Sequence, residues 1–124
     1  MISEGQIVLF RFPQTDQKNG KTRPALILRK LPGKFDDWLI CMISSQLHQV
    51  IPDLDEIINL EEPDFQQTGL KQSSLIRASR LAVVDEDILI GMLGTIDPLR
   101  LEKIRGNLAK WLPKPTIKST SLIP

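Results

Sequence analysis

The chain is poor in the side chains that most often carry nucleophilic or metal chemistry: its 124 residues hold one cysteine and one histidine. Cys41 has no partner for an internal disulfide, which fits a reducing compartment. Its neighbours Ile40 and Met42 read as a packed strand, with no basic group to lower the thiol pKa. His48, alone, excludes any mechanism in which two histidines trade a proton, and one His, one Cys and scattered carboxylates give no metal-ligand spacing. GxGxxG, P-loop and GxSxG patterns are absent. Neither sign of charge is in excess: 16 basic residues face 15 acidic ones, for a net charge of +1. Binding nucleic acid by bulk charge is thereby excluded, and any phosphate site must be a local cluster. No apolar run approaches the roughly 18 residues that span a bilayer, and Met1-Ile2-Ser3-Glu4-Gly5 is not a basic segment leading into an apolar one. The expectation is a cytoplasmic protein with no membrane segment, metal or cofactor.

What is present is an ordinary globular composition, 41% apolar and 25% charged, in a length that fits one domain. Residues 6–12 predict a strand ended by Pro13, with Val8, Phe10 and Phe12 on one face and Ile7, Leu9 and Arg11 on the other. Gln14 to Thr22 is polar, contains Asn19-Gly20, and reads as an exposed loop. Arg23 to Leu28 is apolar on both faces and predicts a strand deep in the sheet. Pro32-Gly33 then turns the chain into a third strand, Trp38 to Ile43, antiparallel to the second. Residues 47–72 are irregular apart from a short strand candidate at 57–60. Strands resume at 74–78 and continue patchily to Val84; Asp85-Glu86-Asp87 turns into a last apolar run, 88–93, closed by Gly94. Asp97 as N-cap and Pro98 as first residue open a helix over about 97–112, with Leu101, Ile104, Leu108 and Leu112 as its buried stripe and Pro113 as its stop. The sum is a mainly β fold with a C-terminal helix (α+β): a small barrel or curled sheet forming one domain over 1–112, with a loosely ordered tail over 113–124.

Three clusters are candidates for chemistry. Lys18, Lys21 and Arg23 lie within six residues, where a flexible loop enters a rigid strand. Lysines supply point charge, a guanidinium matches phosphate oxygens as a planar fork, and Pro24 holds Arg23 in extended backbone; a merely solvated basic loop has the same composition. Ser44-Ser45-Gln46 brings two hydroxyls and an amide to the end of a buried strand, suited either to orienting a substrate hydroxyl and a base edge or to satisfying a strand terminus. Arg77, near Arg80, shares a strand face with Leu75 and is placed at the barrel rim or in a surface ion pair. His48 reads as a polar loop residue, and Trp38 and Trp111 as core or subunit-interface anchors.

Taken in order, four stretches resemble the MazF/PemK toxin family: Gly5-Gln6-Ile7-Val8, then residues 20–28 (GKTRPALIL), then Ile43-Ser44-Ser45-Gln46, then residues 69–78 (GLKQSSLIRA). Each is weak alone; the ordered set is fairly specific. The resemblance implies an SH3-like β-barrel of the MazF/PemK/CcdB type and a homodimer. It implies metal-independent, sequence-specific cleavage of single-stranded RNA, as the toxin of a type II toxin–antitoxin system. A cognate antitoxin is implied as partner, its extended segment blocking the site, with operator DNA bound by the toxin–antitoxin complex. By the same resemblance Arg23 matches the catalytic arginine, Ser44 stands where the family usually has a catalytic threonine, and Gln46 is the nearest match to a residue supporting the RNA-binding surface; the basic residues Lys18, Lys21 and Arg77, singled out above by charge, are the other RNA-binding candidates. Serine keeps the hydroxyl but loses the methyl that restricts its rotamer.

Two other classes fit the same barrel. One is a non-catalytic toxin like CcdB, which poisons DNA gyrase through its C-terminal helix; Trp111 near the helix end keeps it open. The other is a catalytically lapsed module that binds only antitoxin or operator DNA, which the Thr-to-Ser departure keeps open.

Overall fold

In a computed structural model of the chain, alternating β-branched and aromatic residues build six strands. They are β1 (Gln6–Phe12), β2 (Lys21–Lys30), β3 (Asp37–Ser44), β4 (Glu56–Ile58), β5 (Ser74–Asp85) and β6 (Leu89–Thr95), and one helix, α1 (Pro98–Trp111), follows. The structure describes residues 2–12 and 21–116, with Phe12 and Lys21 by backbone alone. All strand pairs are antiparallel, in the order β4-β5-β3-β2-β1-β6. β5 and β6 are four positions apart in that order, about 19 Å on a flat sheet. The chain nevertheless passes from one to the other through a single 3-10 turn, Glu86–Ile88, which reaches roughly 14 Å at most between Asp85 and Leu89. The sheet therefore curls, so that the end of β5 lies near the start of β6. No ladder joins β5 to β6 among the described residues, so the curl is barrel-like but open at that seam.

Curling gives the sheet an inside and an outside, and both are buried at the centre. Val8, Phe10, Ala25, Ile27, Trp38 and Ile40 fill the inside, with Ala82, Val84 and Leu89 packed against them. The outer face presents Ile7, Leu26, Leu28, Cys41, Ile43 and Ile76, and these are covered by Leu54, Ile58, Phe65 and the helix residues Leu101 and Ile104. β2 contributes to both cores, which is why its sequence is apolar on both faces. Its ladder begins earlier than the composition indicates: Lys21 and Thr22, expected in the loop, pair with Phe12 and Arg11. Backbone hydrogen bonds hold a ladder whatever the side chains, so polarity alone misplaced its start.

β5 is one continuous strand where the sequence reads as patchy. Met42 pairs with Arg77 but the next residue back, Cys41, pairs with Leu81, so Ala78, Ser79 and Arg80 bulge out of the ladder. Three extra residues reverse the alternation of faces. Ile76 points to the outer core, whereas Ala82 and Val84 point inside. The bulge is held by Asp55, only 7% exposed. Its carboxylate accepts from the Ser79 N–H (2.9 Å), the Ser79 hydroxyl (3.2 Å) and the Ile51 N–H (2.9 Å).

The helix starts as expected, with the Asp97 side chain accepting from the Leu99 N–H and Pro98 in the first turn. Leu101 and Ile104 are buried and Leu108 packs partly against the same core, burial of the kind worth roughly 1.5–3 kcal/mol per side chain. Leu112 departs from the expected stripe: it caps the helix, its N–H still bonded to the Leu108 carbonyl at 2.9 Å, but it lies past the turns that pack on the core and is 72% exposed. Trp111 is 49% exposed and is no part of the core, while Trp38 is. Two arginines pin α1 from either side. Arg105 donates to the Leu28 carbonyl through Nε (3.0 Å) and Nη2 (2.6 Å), where the β2–β3 register shifts, and pairs with Glu4. Arg100 donates through Nε to Asp64 Oδ2 (2.7 Å) and through Nη2 to Asp64 Oδ1 (3.0 Å), and pairs with Glu62.

Arg100 thereby ties α1 to the strap of residues 59–72 that joins β4 to β5. The strap also packs onto β6. A Cβ on Gly94 would lie 2.2 Å from the Gln67 carbonyl oxygen, and one on Gly69 2.2 Å from that of Leu93; Gly69 has φ +74° besides. Only glycine permits that approach.

Three consequences can be measured. Gly94→Ala forces two backbones apart and should lower stability by at least about 2 kcal/mol, seen as a lower urea midpoint with unchanged slope. Asp55→Ala leaves three donors without their acceptor and should cost about 2–4 kcal/mol in the same assay; a variant as stable as the parent would show that the bulge does not need the carboxylate. The Arg100 hydrogen bonds hold the Asp64 carboxyl below its ordinary 3.8, and the Asn59 N–H with Arg100 holds that of Glu62 below 4.5. A depressed carboxylate pKa stabilises above the unfolded value and stops doing so as pH falls through the folded one. The parent should therefore lose more stability than Arg100→Gln between about pH 5 and pH 3; parallel pH profiles would remove this role from the pair.

Candidate active site

The ladder between β2 and β3 ends at Ala25 and Met42, next to Pro24, which has no N–H to give. Continuing that register by two residues sets Arg23 abreast of Ser44, both on the sheet face of Ala25 and Met42. Where the two strands part, a cleft of about 430 Å³ opens, and both Arg23 and Ser44 line it. Leu9, Pro24 and Ile43 give it an apolar side, Ser45 and Gln46 continue from β3, and Leu93 borders it from β6. Gly69 to Gln72, the end of the strap, form the remaining wall.

The polar groups here keep their hydrogen-bonding capacity for something else. Ser44 Oγ accepts from the Gln46 N–H at 3.0 Å, which fixes the oxygen and leaves the hydroxyl hydrogen free to donate. Arg23 is exposed, and among the described residues no acid pairs with it. Among the described residues the lining includes Arg23 and Lys71 but no aspartate or glutamate. A broader depression of about 700 Å³ between the strap and α1 has the opposite character: Glu56, Glu62, Asp64 and Asp97 line it, and its arginine and lysine are engaged by those acids. It is part of the brace for the helix.

Of the residues singled out from sequence, the cleft thus unites Arg23, Ser44 and Gln46. Lys18 lies outside the described residues, and Lys21 is known by its backbone position in β2. Arg77 shares the sheet face of Met42 but does not line the cleft. Its Nη1 donates to Gln49 Oε1 at 2.9 Å, which anchors the 3-10 turn Leu47–Gln49, and its buried Nε meets no partner among the described residues. Arg80 is exposed on the bulge, and His48 is exposed on that same turn. Cys41 is fully buried, and burial pushes its thiol well above the usual range, so it packs as a neutral group. Lys71 and Gln72 were missed by the reading of single motifs: they sit in the stretch 69–78, whose pattern is visible, but nothing in an irregular strap tells which side chains face a cleft. Among the described residues no group of three or more His, Cys, Asp and Glu could hold a metal ion, and no helix is long and apolar enough to cross a membrane.

Comparison with known proteins bears on this arrangement at two levels. The fold is shared with an endoribonuclease from a Mycobacterial species, solved in complex with its cognate antitoxin (TM-score 0.63, 17% identity, 94% of this chain and 99% of that one). It is shared equally with the Mycobacterium tuberculosis toxin MazF-mt6 (TM-score 0.63, 14% identity, 90% and 99% coverage). No functionally curated protein sequence matches the chain. The sequence profile described as "PemK-like, MazF-like toxin of type II toxin-antitoxin system" matches residues 3–112. That match takes in every strand, the strap and the helix, and the chain belongs to the PemK-like, MazF-like toxin family of type II toxin–antitoxin systems.

Proposed function

We propose that this toxin is a sequence-specific endoribonuclease that cuts single-stranded RNA without a metal ion. The observation that carries the reading is the pairing of a guanidinium, Arg23, with a hydroxyl, Ser44, in one cleft, where among the described residues no acid pairs with Arg23 and no carboxylate belongs to the lining. Carboxylates at the rim would repel a phosphodiester; their absence leaves Arg23 and Lys71 to attract one.

The reaction needs little covalent chemistry from the protein. The ribose 2′-oxygen attacks the adjacent phosphorus in line, the P–O5′ bond breaks, and the products are a 2′,3′-cyclic phosphate and a 5′-hydroxyl. The 2′-hydroxyl proton passes to water and the leaving 5′-oxygen takes one from water. Negative charge grows on the non-bridging oxygens during this passage, and Arg23 stabilises it there. A guanidinium keeps its proton throughout and acts as a fixed charge. Ser44 donates to the 2′-oxygen or to a non-bridging oxygen and keeps the attack in line. Gln46 contacts the bound strand beside it, Lys18 and Lys21 add positive charge for its phosphates, and Arg77 meets the strand as it leaves past the 47–49 turn.

The same reading assigns the partners. One structural neighbour was solved with its cognate antitoxin, which supports an antitoxin for this chain, its extended segment lying in the cleft in place of RNA. Two copies form a homodimer, and the toxin–antitoxin complex binds operator DNA.

The purified protein should cut a long unstructured RNA in the presence of EDTA. Arg23→Ala should slow cutting by about 100-fold or more, Ser44→Ala should slow it less, and Ser44→Thr should keep it. Mapped ends should carry the cyclic phosphate. Undiminished cutting by Arg23→Ala would sink the mechanism, and inhibition of DNA gyrase without RNA cleavage would replace it with a gyrase-directed toxin.

A further inference from the structure

A site that cuts at chosen sequences needs side chains with unspent donors and acceptors, held still, next to the scissile bond. The strap end supplies them. Lys71 and Gln72 are exposed and line the cleft, and among the described residues neither side chain has a partner. Their backbone, by contrast, is fixed on both sides. Before them, buried Thr68 donates to the Phe65 carbonyl at 2.6 Å and accepts from the Leu70 N–H at 3.1 Å. Gly69 is wedged against the Leu93 carbonyl. After them, the Ser74 hydroxyl donates to the Gln72 carbonyl at 2.8 Å, and Ser73 Oγ accepts from the Leu60 N–H at 2.8 Å. Two long polar side chains thus rise from a rigid base on the wall formed by the strap.

The chemistry of the two differs in a way that assigns them different tasks. A glutamine amide carries one acceptor and two donors in a plane, the pattern that distinguishes one base edge from another when bases are unstacked. A lysine is a point charge that grips phosphate and carries no sequence information. The geometry points to Gln72 as the residue that reads a base adjacent to the cut, and to Lys71 as the residue that holds the phosphate beside that base. The assignment rests on the nuclease reading above and adds to it the element that chooses the sequence. Gln46, from the β3 wall, is a second amide lining the same cleft.

The test uses the full chain and a pool of unstructured RNAs with randomised sequence, mapping cut ends for the parent, Gln72→Ala, Lys71→Ala and Lys71→Arg. Both positions are exposed, so all four proteins should melt alike. Gln72→Ala should lose preference at one nucleotide position by about tenfold while preferences elsewhere stand. Lys71→Ala should raise KM across all sequences at little cost in kcat and flatten the log–log salt dependence of RNA binding by about 0.7; Lys71→Arg should restore that slope. A Gln72→Ala pattern identical to the parent's, or a uniform slowing at every sequence, overturns the role of Gln72, and an unchanged salt slope overturns that of Lys71. A parent protein that neither binds nor cuts RNA overturns the nuclease reading itself, so the two failures are told apart.

Discussion

Three hydrogen bonds to the buried carboxylate of Asp55 decide what β5 can do. Without the bulge they hold, β5 would keep one alternation throughout, and a strand that packs the outer core at Ile76 would turn the same parity outward at Ala82 and Val84. By reversing the faces midway, the bulge lets one strand serve two cores and bends it enough for a short turn to reach β6. That bend contributes to the curl of the sheet, which brings the end of β5 near the start of β6.

The helix and the strap extend the same economy of charge. Arg100, Arg105 and Lys103 draw Glu62, Asp64, Glu4 and Glu56 into the contacts that seat α1. Although acids and bases are nearly equal in number, the described residues that line the cleft include Arg23 and Lys71 and no acid, while these four acids are engaged at the helix.

How much of this could be read in the residues depends on what each feature rests on. Strands with a plain alternation or a two-faced apolar run, such as 6–12 and 23–28, are legible, as is a helix announced by Asp97-Pro98. β5 is not, because its bulge breaks the period at Ala78–Arg80, and the acid that stabilises it is 24 residues away. Leu112 continues the helical period as the cap, but beyond the turns that meet the core. Arg23 and Ser44 were legible as residue types in a familiar order, but their adjacency is a matter of register, fixed by the pairing of Ala25 with Met42. Lys71 and Gln72 lie on a strap shaped by glycine contacts and an arginine from another element, none of which leaves a periodic trace.

The near balance of charge has a consequence for how the molecule meets a polyanion. With a net charge of +1 it exerts almost no overall pull from a distance. At physiological ionic strength fields fade within about 8 Å, so the charge of Arg23 and Lys71 at the cleft acts only on a strand that is already close to it.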